Sequence, residues 1–184
     1  DRVAAWERGE HIAPITIDAA LTRACNAACT FCYASLQEND RHTITAAHMT
    51  AFLDASAAMG VRGVSLVSDG ESTLSPAFEH TLLYGHSLGL SMAVGTNAYA
   101  FKPDRTERVL QALTYIRVNI SAGHRDDYSR IMGLPPEAYD RVLANIRHMV
   151  LVKRRDHLPV TIGIQMVLMP SMAAQVMPFA ELGA

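Results

Sequence analysis

Three cysteines fall within eight residues, in the run Cys25-Asn26-Ala27-Ala28-Cys29-Thr30-Phe31-Cys32-Tyr33. An odd number this close together makes a poor disulfide framework. The spacing suits three thiolates converging on one metal site, provided the loop wraps around it. Three protein ligands on a four-iron cluster leave one iron without a side chain, the open position that a cofactor or substrate needs. A fully ligated electron-transfer cluster wants a fourth cysteine, and the chain holds only these three. Two other readings use the same thiols: a zinc knuckle completed by His42 or His48, and a redox-active thiol cluster. A zinc site more often joins two C-x2-C half-sites far apart in sequence. Reduced thiolates imply a reducing compartment, hence the cytoplasm.

The elements that must position this loop alternate along the whole chain. Strands are predicted at 15–18, 63–67, 90–94, 115–120 and 159–168. Helices are predicted at 46–59, from Pro76 towards Gly89, at 103–113, 136–152 and 173–182. Tyr139, Val142, Leu143, Ile146 and Met149 recur at helical spacing. Strand and helix alternation points to parallel βα units in an α/β fold, here a partial TIM-type (β/α) barrel with at least five units. The doubly wound alternative would carry a glycine-rich phosphate loop after its first strand; cysteines stand there instead. In either layout ligands bind at the C-terminal ends of the strands. The sequence stops where a sixth strand is expected. Residues 1–184 therefore read as one core domain, with 1–13 as an N-terminal extension, from a longer chain.

The polar residues at those strand ends form a second set of candidates. Ser68-Asp69-Gly70-Glu71-Ser72 follows the second strand, and backbone groups opened by a glycine turn can bind an ammonium or carboxylate. Thr96 and Asn97 close the third strand. On the fourth, alternation puts Arg117, Asn119 and Ser121 on one face, opposite Val118 and Ile120. Inward polar groups are costly without partners, and a ligand supplies them. Gln165 is the polar residue of an otherwise apolar fifth strand, a cofactor, substrate or structural contact. Gly163 beside it marks a close backbone approach. Met166 and Met169 read as core. Lys153-Arg154-Arg155 reads as a solvated helix end and Arg130 as a solvated helix residue. Among the remaining histidines only His124, beside the fourth strand end, is placed for function.

The C-x3-C-x2-C motif, with an aromatic before the last cysteine and a place after the first strand, resembles the signature of the radical S-adenosylmethionine (radical SAM) superfamily. Gly70-Glu71 resembles that family's Gly-Gly-Glu-Pro motif, with Asp69 for the first glycine and Ser72 for the proline. The stretch from Ser121 through Tyr128 to Gly133 resembles the segment after the fourth strand in its SPASM/maturase-like members. The resemblance implies that Cys25, Cys29 and Cys32 ligate a [4Fe–4S] cluster and that S-adenosylmethionine chelates the fourth iron. It implies that Phe31 packs near the adenine, that Gly70 and Glu71 meet the methionine amino group, and that Asn119 and Ser121 meet the ribose or carboxylate. Adenine packs near the strand that carries Gln165. It further implies reductive cleavage of S-adenosylmethionine to a 5′-deoxyadenosyl radical, an electron donor of the flavodoxin or ferredoxin type, and hydrogen abstraction from a small molecule or a peptide. One alternative is a peptide (RiPP) maturase whose C-terminal auxiliary-cluster domain is missing. Another, of a different class, is a non-enzymatic iron–sulfur or zinc scaffold or sensor.

Composition sets bounds around this reading. Hydrophobic residues make up 49% and charged residues 18%, ordinary for a globular domain. A formal net charge of −2 leaves no footprint for DNA binding. No apolar run reaches the ~18 residues that a membrane span needs. The charged start, with Trp6, is not a secretory signal.

Overall fold

The computed structural model describes residues 1–38 and 40–183. Five strands, β1 (Thr16–Ala19), β2 (Gly63–Leu66), β3 (Ser91–Thr96), β4 (Leu113–Asn119) and β5 (Thr161–Gln165), form one sheet in the order β1-β2-β3-β4-β5. Every neighbouring pair is parallel. Parallel strands that follow one another in chain order have no switch point. They curl into part of a barrel and not into a doubly wound sheet.

The helices are α1 (Arg2–Glu7), α2 (Ala46–Ala58), α3 (Phe78–Ser87), α4 (Pro103–Ala112), α5 (Arg125–Met132), α6 (Glu137–Arg155) and α7 (Val176–Leu182), of which α2, α3, α4 and α6 cover the outer face. Local chemistry sets their starts. Thr45 caps α2 by accepting from the His48 N–H (3.2 Å), and Pro103 opens α4 with its fixed φ. The strands' outward side chains, Val64, Leu66, Met92, Val94, Ile116 and Val118, are fully buried with Leu53, Phe78, Leu82, Leu110 and Val142 of the helices. The inward ones, Ser65, Ala93, Gly95, Arg117, Asn119 and Gln165, are only partly covered. This period of two gives the molecule an apolar outer core and a polar concave face.

The differences from the sequence reading have physical causes. β5 ends at Gln165, short of the expected Leu168, because the Val167 N–H leaves the ladder and donates to Ser121 Oγ (3.0 Å). The residues from Pro76 are not yet helical; a 3-10 turn at Ser72–Leu74 comes first and α3 begins at Phe78. Although Arg130 reads as a helix residue, no range is predicted for α5 around it. Its strongly polar sequence hides Tyr128, Ile131 and Met132, which it buries on one side, and Gly133 ends it in the left-handed region (φ 61°). α1 was not expected; the Arg2 guanidinium holds it by donating to the carbonyls of Ala13 (2.8 Å) and Pro14 (2.9 Å). Among the described residues no helix is long and apolar enough to cross a membrane.

Glu79 of α3 clasps α4. Arg108 Nε donates to it at 2.6 Å, and Arg105 Nε lies 3.6 Å away. The hydrogen bond from Arg108 holds the Glu79 carboxyl below its ordinary value of 4.5. A carboxylate lowered in the folded state adds stability above its ordinary pKa and loses it as pH falls through the folded value. Glu79→Gln is expected to lower stability modestly at neutral pH, with the gap to wild type closing in acid. Urea unfolding across that range checks this; a pH-independent gap would contradict it.

Candidate functional site

The cysteine loop leaves the end of β1 and is held by backbone on two sides. Ala28 N–H donates to Met132 O (3.1 Å) and Thr30 N–H to Ile131 O (2.9 Å), so the C-terminal carbonyls of α5 grip the loop on either side of Cys29. Gly133 lies so close beneath Ala28 that a Cβ there would stand 2.5 Å from the Ala28 carbonyl oxygen. At the loop's start, Gly70 approaches so closely that a Cβ would meet Ala24 O at 2.3 Å and Thr22 O at 2.7 Å. The Glu71 N–H donates to that same Ala24 carbonyl (2.8 Å). The Asp69-Gly70-Glu71 turn after β2 is thereby stapled to the stem of the cysteine loop.

The Glu71 carboxylate is buried and accepts four hydrogen bonds. Thr73 N–H (3.1 Å), Thr73 Oγ1 (2.7 Å) and Thr96 Oγ1 (2.6 Å) donate to Oε1, and the Asn97 N–H donates to Oε2 (2.7 Å). Its side chain is a bracket between the ends of β2 and β3, and the turn's backbone is what remains for a ligand. Asn97 extends the bracket, its Nδ2 donating to Asn26 Oδ1 inside the cysteine loop (2.7 Å). The Tyr33 hydroxyl donates to Asp69, a further tie between the two loops.

These ties enclose a cavity of about 430 Å³ at the C-terminal ends of the strands. Cys25, Cys29, Cys32 and Phe31 form one wall, Gly70 and Glu71 a second, and Asn119 and Gln165 a third. Asn119 and Gln165 are register partners on β4 and β5. Ser121 is not brought to the wall. It is fully buried, in a left-handed conformation (φ 55°), and donates to Asn119 Oδ1 (2.6 Å). Alternation had placed it correctly beside Asn119, but the chain turns there and the hydroxyl orients Asn119 from behind. Thr96 faces Glu71, as described. His124 is exposed at the start of α5. Arg155 pairs with Asp156 (2.7 Å) and Glu107 (3.3 Å), and Arg130 with Asp127, as solvated helix residues do. Asp69 and Arg117, visible in the sequence as a strand-end and an inner-face polar residue, also line the cavity, and so does Tyr33 with Met132, while Asn26 braces it; the sequence assigns these last three no role. Tyr33 and Asn26 carried one available signal, their place within or beside the cysteine motif.

All three thiols are free. Burial pushes the Cys29 thiol up to about 12, and charge at Cys25 and Cys32 adds to the rise. A thiol so placed keeps its proton until a metal displaces it. Cys29 Sγ also lies 3.9 Å from Met132 Sδ. Among the described residues no group of three or more His, Cys, Asp or Glu side chains is arranged to hold a metal ion. One zinc with Zn–S bonds of about 2.3 Å needs its thiolates roughly 4 Å apart. A cubane takes each thiolate on a different iron and spreads them wider. A donor set of three sulfurs on one cavity wall fits such a cluster. His42 offers the site no ring contact; its carbonyl instead accepts from the Arg23 N–H (2.9 Å).

A partial parallel barrel with a three-thiol loop over the C-terminal ends of its strands defines the class. The Radical SAM superfamily model matches residues 20–175, and the chain belongs to that superfamily. Among curated proteins, it is similar to the sporulation killing factor maturation protein SkfB of Bacillus subtilis (strain 168), 29% identical over 114 residues, which cover 62% of this chain and 27% of that protein. Among solved structures, it superposes on SuiB of Streptococcus suis bound to the precursor peptide SuiA with a TM-score of 0.78 at 18% identity, covering 98% of this chain and 39% of SuiB. SuiB bound to S-adenosylmethionine gives a TM-score of 0.77, also at 18% identity, with 98% and 40% covered. The chain thus spans well under half the length of these proteins.

Gly70→Ala forces a methyl group against rigid backbone, so it is expected to cost about 1–3 kcal/mol and to weaken metal uptake by the displaced loop. Urea unfolding and iron retention after desalting measure the two effects. Wild-type behaviour in both would contradict the staple.

Proposed function

We propose that this protein is a radical enzyme that binds a [4Fe–4S] cluster through Cys25, Cys29 and Cys32 and S-adenosylmethionine beside it, and that it takes a hydrogen atom from a peptide. The observation that carries this reading is the convergence of the three thiols, the Gly70 turn and the Asn119–Gln165 pair on one cavity. When bound, the cluster passes an electron to S-adenosylmethionine, releasing methionine and a 5′-deoxyadenosyl radical that abstracts hydrogen from the substrate.

The chain's own residues bind, orient and shield. Gly70 and the main chain around it present polar groups to an ammonium, because the Glu71 side chain is already committed within the protein. Asn119, fixed by Ser121, and Gln165 offer amides to the ribose or the carboxylate. Phe31 supplies an apolar surface beside the thiols for the adenine. The cavity wall keeps water from the reacting carbon. The electron comes from a donor of the flavodoxin or ferredoxin type, and the cytoplasm is the compartment that keeps the thiols reduced.

A peptide is favoured over a small metabolite because SkfB is named for maturation and SuiB was crystallised with a precursor peptide. Anaerobic reconstitution is expected to give about four irons per chain and, after chemical reduction, 5′-deoxyadenosine from S-adenosylmethionine. Cys29→Ala is expected to lose both. Zinc in place of iron without cleavage product would sink the proposal in favour of a scaffold or sensor. Normal turnover in Cys29→Ala would remove that ligand.

A further inference from the structure

The concave face below the cavity carries an arginine that the function above does not use. Arg117 lies on β4 two residues before Asn119, about 7 Å further from the strand ends. Its register partners on both sides are glycines, Gly95 on β3 and Gly163 on β5. Neither register partner contributes a side chain, and the guanidinium lies across Gly95, with Nη2 3.4 Å from where a Cβ would be. Arg117 lines the floor of the cavity described above and also a smaller hollow of about 170 Å³ that continues beneath it. None of the described residues forms an ion pair or hydrogen bond with it.

A half-covered guanidinium without a counter-ion is costly, and a bidentate carboxylate matches its planar fork. Tyr115, one layer lower, raises its hydroxyl to the level of Gly163, 3.0 Å from the place of the missing Cβ. Asp18 of β1 also faces the lower hollow. The guanidinium lies over β3, two strand steps from β1 and roughly 10 Å along the sheet, which leaves its side towards the larger cavity as the seat for an anion.

We infer that Arg117, in its glycine-flanked berth, binds a carboxylate of the substrate, an acidic side chain or a chain terminus, and so selects acidic peptides. This rests on the proposed reaction for the identity of the ligand, though the anion site is a separate property of the fold. The carboxylate of S-adenosylmethionine is the other source of the same chemistry. Joint titration with S-adenosylmethionine separates the two sources.

The test titrates the α-amides of N-acetyl-glutamate and N-acetyl-glutamine, of which only the first carries a carboxylate, into the full-length reconstituted protein, followed by NMR or calorimetry. Acetyl-glutamate is expected to bind and acetyl-glutamine not. Arg117→Gln is expected to weaken acetyl-glutamate by roughly tenfold or more. Arg117→Lys, which keeps the charge but not the fork, is expected to fall between. Circular dichroism checks that each variant is folded. Equal binding of the two probes, or binding indifferent to Arg117→Gln with Arg117→Lys alike, would overturn the inference. Acetyl-glutamate and S-adenosylmethionine are expected to occupy the protein together. Mutual exclusion would give the guanidinium to the cofactor and also overturn it. If S-adenosylmethionine fails to bind at all, the radical reading fails, while the acetyl-glutamate titration still decides the anion site.

Discussion

The buried carboxylate of Glu71 joins three pieces of chain that are distant in sequence. It receives hydrogen bonds from its own turn after β2 and from the end of β3, while the residue's N–H reaches into the stem of the cysteine loop. A buried charge is tolerated only when its oxygens are satisfied. Each donor is therefore constrained to stay, and the strand ends are locked to the loop that carries the three thiols. Gly70 makes the same junction possible sterically, since no other residue fits against Ala24 O. From this junction follow the shape of the cavity wall, the placing of Asn97 against Asn26, and the seat of the thiols.

The second anchor comes from the opposite side. α5 offers two terminal carbonyls to the loop, the groups that a helix end leaves unsatisfied, and the loop offers two N–H groups in return. Between the two anchors the sulfurs are held on one wall, and burial raises the Cys25 and Cys29 thiols above their ordinary value. Proximity of three like-charged thiolates is unfavourable, and burial makes it worse. A metal cluster relieves both at once, which couples its binding to proton release. The loop is thus rigid in backbone and unsettled in charge, the condition in which a cluster contributes most to holding the site.

Much of this was legible in the sequence, and the rest was hidden for definite reasons. The cysteine spacing and the period-two strands are local patterns, so the thiol loop and the parallel barrel could be read directly. Gly70 could be read from its turn, and Asn119 and Gln165 from polarity on an inner face. The bracket made by Glu71 could not, because its partners Thr96 and Asn97 lie 25 and 26 residues away and only the fold brings them in. Ser121 was placed by strand alternation, but a left-handed residue broke the alternation and turned its hydroxyl behind Asn119. The extent of α5 was missed because buried Tyr128, Ile131 and Met132 are outnumbered by charged neighbours. Arg117 was visible as an inward polar residue, yet its isolation depends on the register that sets a glycine on each side.

The central claim is that three thiols hold a cluster whose remaining iron stays open to S-adenosylmethionine. Electron paramagnetic resonance of the reduced, anaerobically reconstituted protein tests it most directly, because the spectrum reports the ligands of the iron itself. Addition of S-adenosylmethionine is predicted to shift the g-values of the cluster signal, as a new chelate replaces solvent on one iron. A cluster signal that S-adenosylmethionine leaves unchanged at saturating concentration would contradict the account.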